Sequence, residues 1–241
     1  MAKSAGSKPS RGVLNILQDI EKLKHLEVPG SGLDPKLKLL RLWQSERLAQ
    51  TYSDLIATVR YRPACDFFLN ELYGARGFSQ RDHDIEQMYD FMQRVFPAEM
   101  IRPLRLTVEL HRQTQALDSQ LLEVLVNQLG LTDSLTPELY AEGYRRCDNY
   151  VERVKQIDAI YKIGMLLDGI MDQPLTGAAL TLAKVPARRA GWNELTNFLE
   201  AGYNAFRRMK GGAAYFLDTV REREQRILDR IYAEQPDPFS I

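Results

Sequence analysis

The chain has 241 residues, 44% of them apolar, enough to bury one substantial core, and its 32 basic and 32 acidic residues cancel, so no net field directs it to nucleic acid or an anionic membrane. Its two cysteines, Cys65 and Cys147, have no CxxC or Cys/His neighbour, which argues against zinc or redox chemistry and for core thiols in a cytoplasmic protein. No apolar run reaches the roughly 18–20 residues that span a bilayer, and the opening MAKSAGSKPSRG has basic residues without the apolar stretch of a signal peptide.

Apolar residues recur at intervals of three and four almost to the end, with no run of alternating β-branched residues. The expected fold is therefore all-α: one bundle-like domain of seven to nine helices over residues 13–235, between tails at 1–12 and 236–241. A first stripe, from Val13 to Leu26, ends at the breaker Pro29-Gly30-Ser31-Gly32. Asp34 and Pro35 then supply a cap and a first-turn proline for a helix through Leu40, Trp43, Leu48, Leu55 and Val59, expected to run to about Tyr61, where Pro63 forces a bend. A shorter helix over Ala64–Tyr73 leads to a turn bracketed by Gly74 and Gly77, and Ser79 to Asp82 restarts the helix as a capping box with Asp at its third position.

Phe96-Pro97 and Arg102-Pro103 are expected to punctuate the entry to a long helix through Leu106 to Leu129, which Gly130 stops. Thr136-Pro137-Glu138 opens the next, predicted as one helix of roughly 35 residues to Leu166, about 50 Å at 1.5 Å per residue. A short helix over Leu175–Ala183 follows, Pro186 is expected to start another through Phe206, and Gly211-Gly212 separates it from a last helix from Ala213 to Ile231. On that last helix Arg221 to Glu224 and Arg226 are expected to face solvent. The likeness between Ala64-Cys65-Asp66-Phe67-Phe68-Leu69 and Ala213-Ala214-Tyr215-Phe216-Leu217 is the small-then-large spacing that close helix contacts select.

Chemistry-bearing residues concentrate in Cys65 to Tyr89, where Tyr73, Arg76, Arg81, Asp82, His83 and Asp84 surround the glycine turn. Tyr73, Arg76, Arg81, Asp82 and Asp84 are the candidate residues, either organising the bundle by capping and ion pairing or presenting a contact surface. An alternative sets Asp82 and Glu86, one turn apart, against Asp168 and Asp172, because facing acidic pairs are how all-α enzymes grip magnesium. Neither stretch has the acid-rich pattern of isoprenoid-type synthases, no Glu-x-x-His pair occurs, and Gly211-Gly212 lacks the lysine and strand of a phosphate loop. No cofactor or metal is expected. The basic pairs Arg145-Arg146, Arg188-Arg189 and Arg207-Arg208 read as solvated helix faces.

The run FFLNELYGARGFSQRDHDIEQMY resembles a family of uncharacterised bacterial all-helical proteins marked by an FFLxxLYGxRxFSxRDxD segment. Phe67, Phe68, Leu69, Leu72, Tyr73, Gly74, Arg76, Phe78, Arg81, Asp82 and Asp84 carry that resemblance, which implies fold and a bacterial source but no activity. The functional expectation is a cytoplasmic helical module that binds a protein partner or a second copy of itself, without nucleic acid or membrane. A ligand-binding protein or enzyme with a polar pocket between helices is the alternative.

Overall fold

A computed structural model of the chain describes residues 34–69, 98–171, 173, 176–189 and 193–241. These residues form nine helices and, among them, no strand. The fold is all-α, as the helical period implies.

The first helix, α1 (Pro35–Thr51), starts where Asp34 accepts hydrogen bonds from the Lys36 and Leu37 amides. It ends ten residues before the expected bend. Tyr52 breaks it because its ring is buried and its hydroxyl donates to Glu224 at 2.7 Å, a long-range anchor that overrides the local pattern. The one-turn α2 (Ser53–Ala57) follows, then α3 (Arg62–Phe67), in which Pro63 occupies the first turn, where a missing amide costs no hydrogen bond. Val59, expected in the apolar stripe, lies between them and is 86% exposed.

The long α4 (Ala98–Asn127) carries Pro103 inside it rather than at its entry. The proline sits within the first two turns, so a single ladder bond near the end is lost while its ring is buried. Gly130, at φ +67°, closes the helix in the left-handed region, and the Leu131 amide reaches back to the Leu125 carbonyl at 2.9 Å.

Thr136 caps α5 (Pro137–Cys147) by accepting from the Leu139 amide at 3.2 Å. The helix expected to continue to Leu166 is instead two. Asp148 adopts φ 48° and Asn149 precedes a new helix, α6 (Tyr150–Met171). Short polar side chains tolerate the left-handed region better than other non-glycine residues. The Asn149 amide donates to the Tyr232 hydroxyl and its side chain to Gln120, so the break is held from both sides.

Next comes α7 (Thr176–Arg189), which contains Pro186 instead of ending before it, followed by α8 (Asn193–Met209) and α9 (Ala213–Tyr232). Lys210 and Gly211 both take positive φ between the last two, and Gly212 precedes the final helix.

Helix α6 lies at the centre, packed on α9 and α4 and touching α7 and α8. Gly164 makes the closest of these approaches: a Cβ there would stand 2.3 Å from a Leu217 methyl on α9. One core joins Leu55, Phe67, Phe206, Met209 and Phe216, so the two sequence segments that resemble each other pack in the same interior, with Phe68 stacked on Phe216 at 5.7 Å. A second core joins Leu40, Leu121, Leu125 and Tyr140 and is covered by Trp43 and the half-buried Phe239. Arg223 clamps α9 to α2 with two 2.7 Å bonds to the Asp54 carboxylate.

Candidate functional site

Tyr73, Arg76, Arg81, Asp82 and Asp84 lie outside the described residues, as do Glu86 and Asp172. Of the alternative acidic set only Asp168 is described, half-buried on α6. Among the described residues no group of three or more potential metal ligands converges. Arg145 and Arg146 both bind Glu142, with Arg145 also donating to the Ile231 carbonyl at 3.3 Å, Arg188 approaches Glu200 at 3.9 Å, and Arg207 reaches Tyr203.

Polar chemistry gathers instead where α1, α4, α5, α6 and α9 meet, around a cavity of about 70 Å³. Each helix contributes side chains at the spacing that otherwise builds the core. On α6, Arg153 and Gln156 share a face with Ile157 and Ile160; on α1, Gln44 and Arg47 share one with Leu48.

The two arginines are held differently. Arg47 donates to the Glu224 carboxylate at 2.5 Å, and Tyr52 donates to the same oxygen at 2.7 Å. Burial disfavours the Arg47 cation, yet Glu224 outweighs that cost and keeps its pKa above the ordinary value. Arg153 is only 3% exposed. Its Nη1 donates to Gln156 and its Nη2 to the Leu117 carbonyl, both at 3.2 Å, while its guanidinium lies 4.4 Å over the Tyr144 ring. The Asp118 carboxylate stands 3.9 Å away, beyond hydrogen-bond length. In both arginines Nε has no hydrogen-bond partner among the described residues.

Asp118 is buried and accepts from Gln44 at 3.2 Å. Burial pushes its carboxyl above the usual range, and Arg153 and Gln44 only partly oppose this. Burial likewise raises Tyr140, whose hydroxyl donates to Tyr144 at 2.9 Å and whose ring stacks on Trp43 at 4.1 Å. Gln156 donates to Thr114 at 2.7 Å.

A second cavity of about 50 Å³ adjoins the first and has an almost wholly apolar lining, including Cys65, Phe68, Phe216 and Val220. Leu48, Ile160 and Glu224 border both. The Cys65 thiol is pushed up to about 11, chiefly by burial, so it is a space-filling group and not a nucleophile.

These residues are far apart in the chain, so no local cluster of charges marks them. The signal was present in another form: Gln44, Arg47, Asp118, Arg153 and Gln156 are polar residues in core register, and long polar side chains are rarely buried without a reason.

A family described as "Domain of unknown function (DUF8198)" matches residues 26–238. No curated protein and no solved structure matches the chain.

Proposed function

Because the chain belongs to the DUF8198 family, whose description assigns no activity, we propose from the geometry that it is a binding protein that holds a small polar ligand in the cavity between α1, α4, α5, α6 and α9. The observation that carries this reading is the lining itself, in which Gln44, Arg47, Asp118, Arg153 and Gln156 bring polar and charged side chains from three helices around one interior space. A buried polar group left unmet costs about 1–3 kcal/mol, so polar groups around an interior space are met by water or by a ligand. The cavity has room for on the order of five waters, so a compact molecule can replace them without displacing a side chain.

The test is a thermal-shift series with acetate, inorganic phosphate, glycerol and glycine on the full chain and on Arg153→Met. At 100 times its Kd a ligand adds about 2.7 kcal/mol of stability, equivalent to a rise in Tm of about 5–10 °C for a chain this size. At least one probe is expected to stabilise the native protein saturably and to lose its effect in the variant. No saturable shift from any probe refutes the reading.

A second reading, binding of a protein partner or a second copy, is supported by α7, where Leu182 and Val185 are 75% and 56% exposed and fall on one helical face. The segment with Tyr73, Arg76, Arg81, Asp82 and Asp84, which the sequence marks as a turn, belongs to the same reading. Sedimentation of the native chain against Leu182→Glu and Arg81→Ala tests it, with a monomer at all concentrations and no complex in a pull-down as the refuting result. A cytoplasmic location fits the two buried free thiols.

A further inference from the structure

Resting on the reading of the polar cavity as a ligand site, we infer that the segment 236–241 is a strap: it closes the cavity with Phe239 and swings away, without unfolding of the helices, to admit and release what the cavity holds.

Its position suits this role. Among the described residues Phe239 is the one part of the cavity wall that no helix carries. Its ring meets Trp43 edge-on at 5.4 Å and Tyr140 at 6.0 Å, and it packs on the group formed by Ala141, Ile227 and Ile231. Phe239 is itself half-buried, so the ring stands between the cavity and solvent. Behind it Tyr140 is only 2% exposed, and Gln44 donates to the Tyr140 hydroxyl at 3.4 Å and to Asp118 at 3.2 Å. An apolar ring thus covers the start of a line of polar groups.

The segment is attached by few contacts. Pro236 and Pro238 lack an amide hydrogen and hold φ near one value, which leaves the strap short of donors and stiff. Among the described residues no amide of 236–241 bonds to a helix; that of Ser240 donates to the Asp237 carbonyl at 3.1 Å, inside the segment. The polar hold comes from Arg230 on α9, whose Nη1 donates to the Ser240 carbonyl and whose Nη2 donates to the Pro236 carbonyl at 3.3 Å. Arg230, Phe239 and the buried Pro238 therefore carry the closed state between them.

A joint lies where the strap leaves α9. Glu234 and Asp237 take φ of 52° and 46°, in the left-handed region that costs residues other than glycine free energy. The Glu234 and Gln235 amides reach back to the Ile231 and Arg230 carbonyls and finish the helix, so rotation beyond them leaves α9 intact. Opening relieves the backbone at Asp237, and closing offsets it by covering the Phe239 ring. Such opposed small terms are what a segment needs if it is to open by itself.

Thiol labelling tests the strap. Gln44→Cys places a reporter on the cavity wall, and its rate of reaction with N-ethylmaleimide is read by peptide mass. Cys65, buried in the other core, reports global unfolding in the same sample. With the native strap the reporter is expected to react at a rate that stays level with urea below the unfolding transition, while Cys65 reacts faster as urea rises. Phe239→Ala should raise the reporter rate roughly tenfold or more, beyond any change at Cys65, as loss of a half-buried aromatic contact implies. Arg230→Met, which releases the strap but does not touch the cavity, should raise it about three- to tenfold. Thr114→Cys, on another wall, gives the same readings where Gln44→Cys does not fold.

A reporter rate that climbs with urea in step with Cys65 means that the segment opens only with the whole fold. Rates unchanged by both Phe239→Ala and Arg230→Met mean that the cavity is reached by another route. Either result overturns the strap and leaves the ligand-site reading to the thermal-shift series. Failure of that series with the labelling pattern intact refutes the ligand and leaves the strap's movement standing.

Discussion

Replacing Gly164 with alanine places a methyl group where the central helix meets the last one. The added Cβ would lie 2.3 and 2.8 Å from the two Leu217 methyls and 3.1 Å from Leu217 Cγ. Leu217 is 1% exposed, so it has little room to retreat. Overpacking of this kind costs about 1–3 kcal/mol, while the gain in helix propensity over glycine returns up to about 1 kcal/mol. A second glycine of the same helix supplies the control. Gly169 is exposed, and a Cβ there meets nothing within 4 Å, so Gly169→Ala collects the propensity gain without the clash. The two variants should therefore differ by about 1–3 kcal/mol, read by urea unfolding followed at 222 nm, with a Tm gap of about 2–12 °C at roughly 2–4 °C per kcal/mol. Combining Gly164→Ala with Leu217→Ala should cost less than the sum of the single changes, because the cavity left by leucine receives the new methyl. A Gly164→Ala protein as stable as Gly169→Ala would refute the close packing of α6 on α9.

Arg47→Met leaves the half-buried Glu224 without its cation and should cost about 3 kcal/mol, the low end for a buried pair, whereas Arg47→Met with Glu224→Leu should recover most of that loss; a double variant no more stable than the single one would contradict the pairing. Asp118 gives a pH test. Its folded pKa is raised by burial, so in the window above the ordinary carboxylate value the folded state holds more protons than the unfolded one and stability falls as pH rises. Asp118→Asn removes that slope, and the stability difference, variant minus native, should increase from acid toward neutral pH; a flat or falling difference would show that Asp118 titrates normally.

What the sequence made legible was mostly local. Asp34 and Thr136 cap helices because a side-chain oxygen two or three bonds from Cα can reach the free amides of the first turn, and Gly130 stops one because it adopts a positive φ without strain. A proline is not in itself a boundary: Pro103 costs one ladder bond and lies within a helix long enough to absorb it. The end of α1 depends on Tyr52 meeting Glu224, a residue 172 positions away, and no local pattern contains that fact. The cavity escaped for the same reason. Arg47, Asp118, Arg153 and Glu224 are far apart along the chain, and each reads alone as one more solvated charge; Glu224 in particular was expected on the wet side of its helix and is turned inward.

The ion pair between Arg47 and Glu224 closes over a separation of 177 residues. At a synthesis rate of about 5–20 residues per second, the arginine waits on the order of 10–35 s on the ribosome before its counterion is made. During that interval α1 can form, but its inner face carries an uncompensated cation that favours water over burial. Docking of α1 is therefore deferred until α9 has emerged, and a nascent chain arrested before Glu224 should leave α1 open to protease while α4 and α5, which pack on each other and are closer in sequence, are already protected.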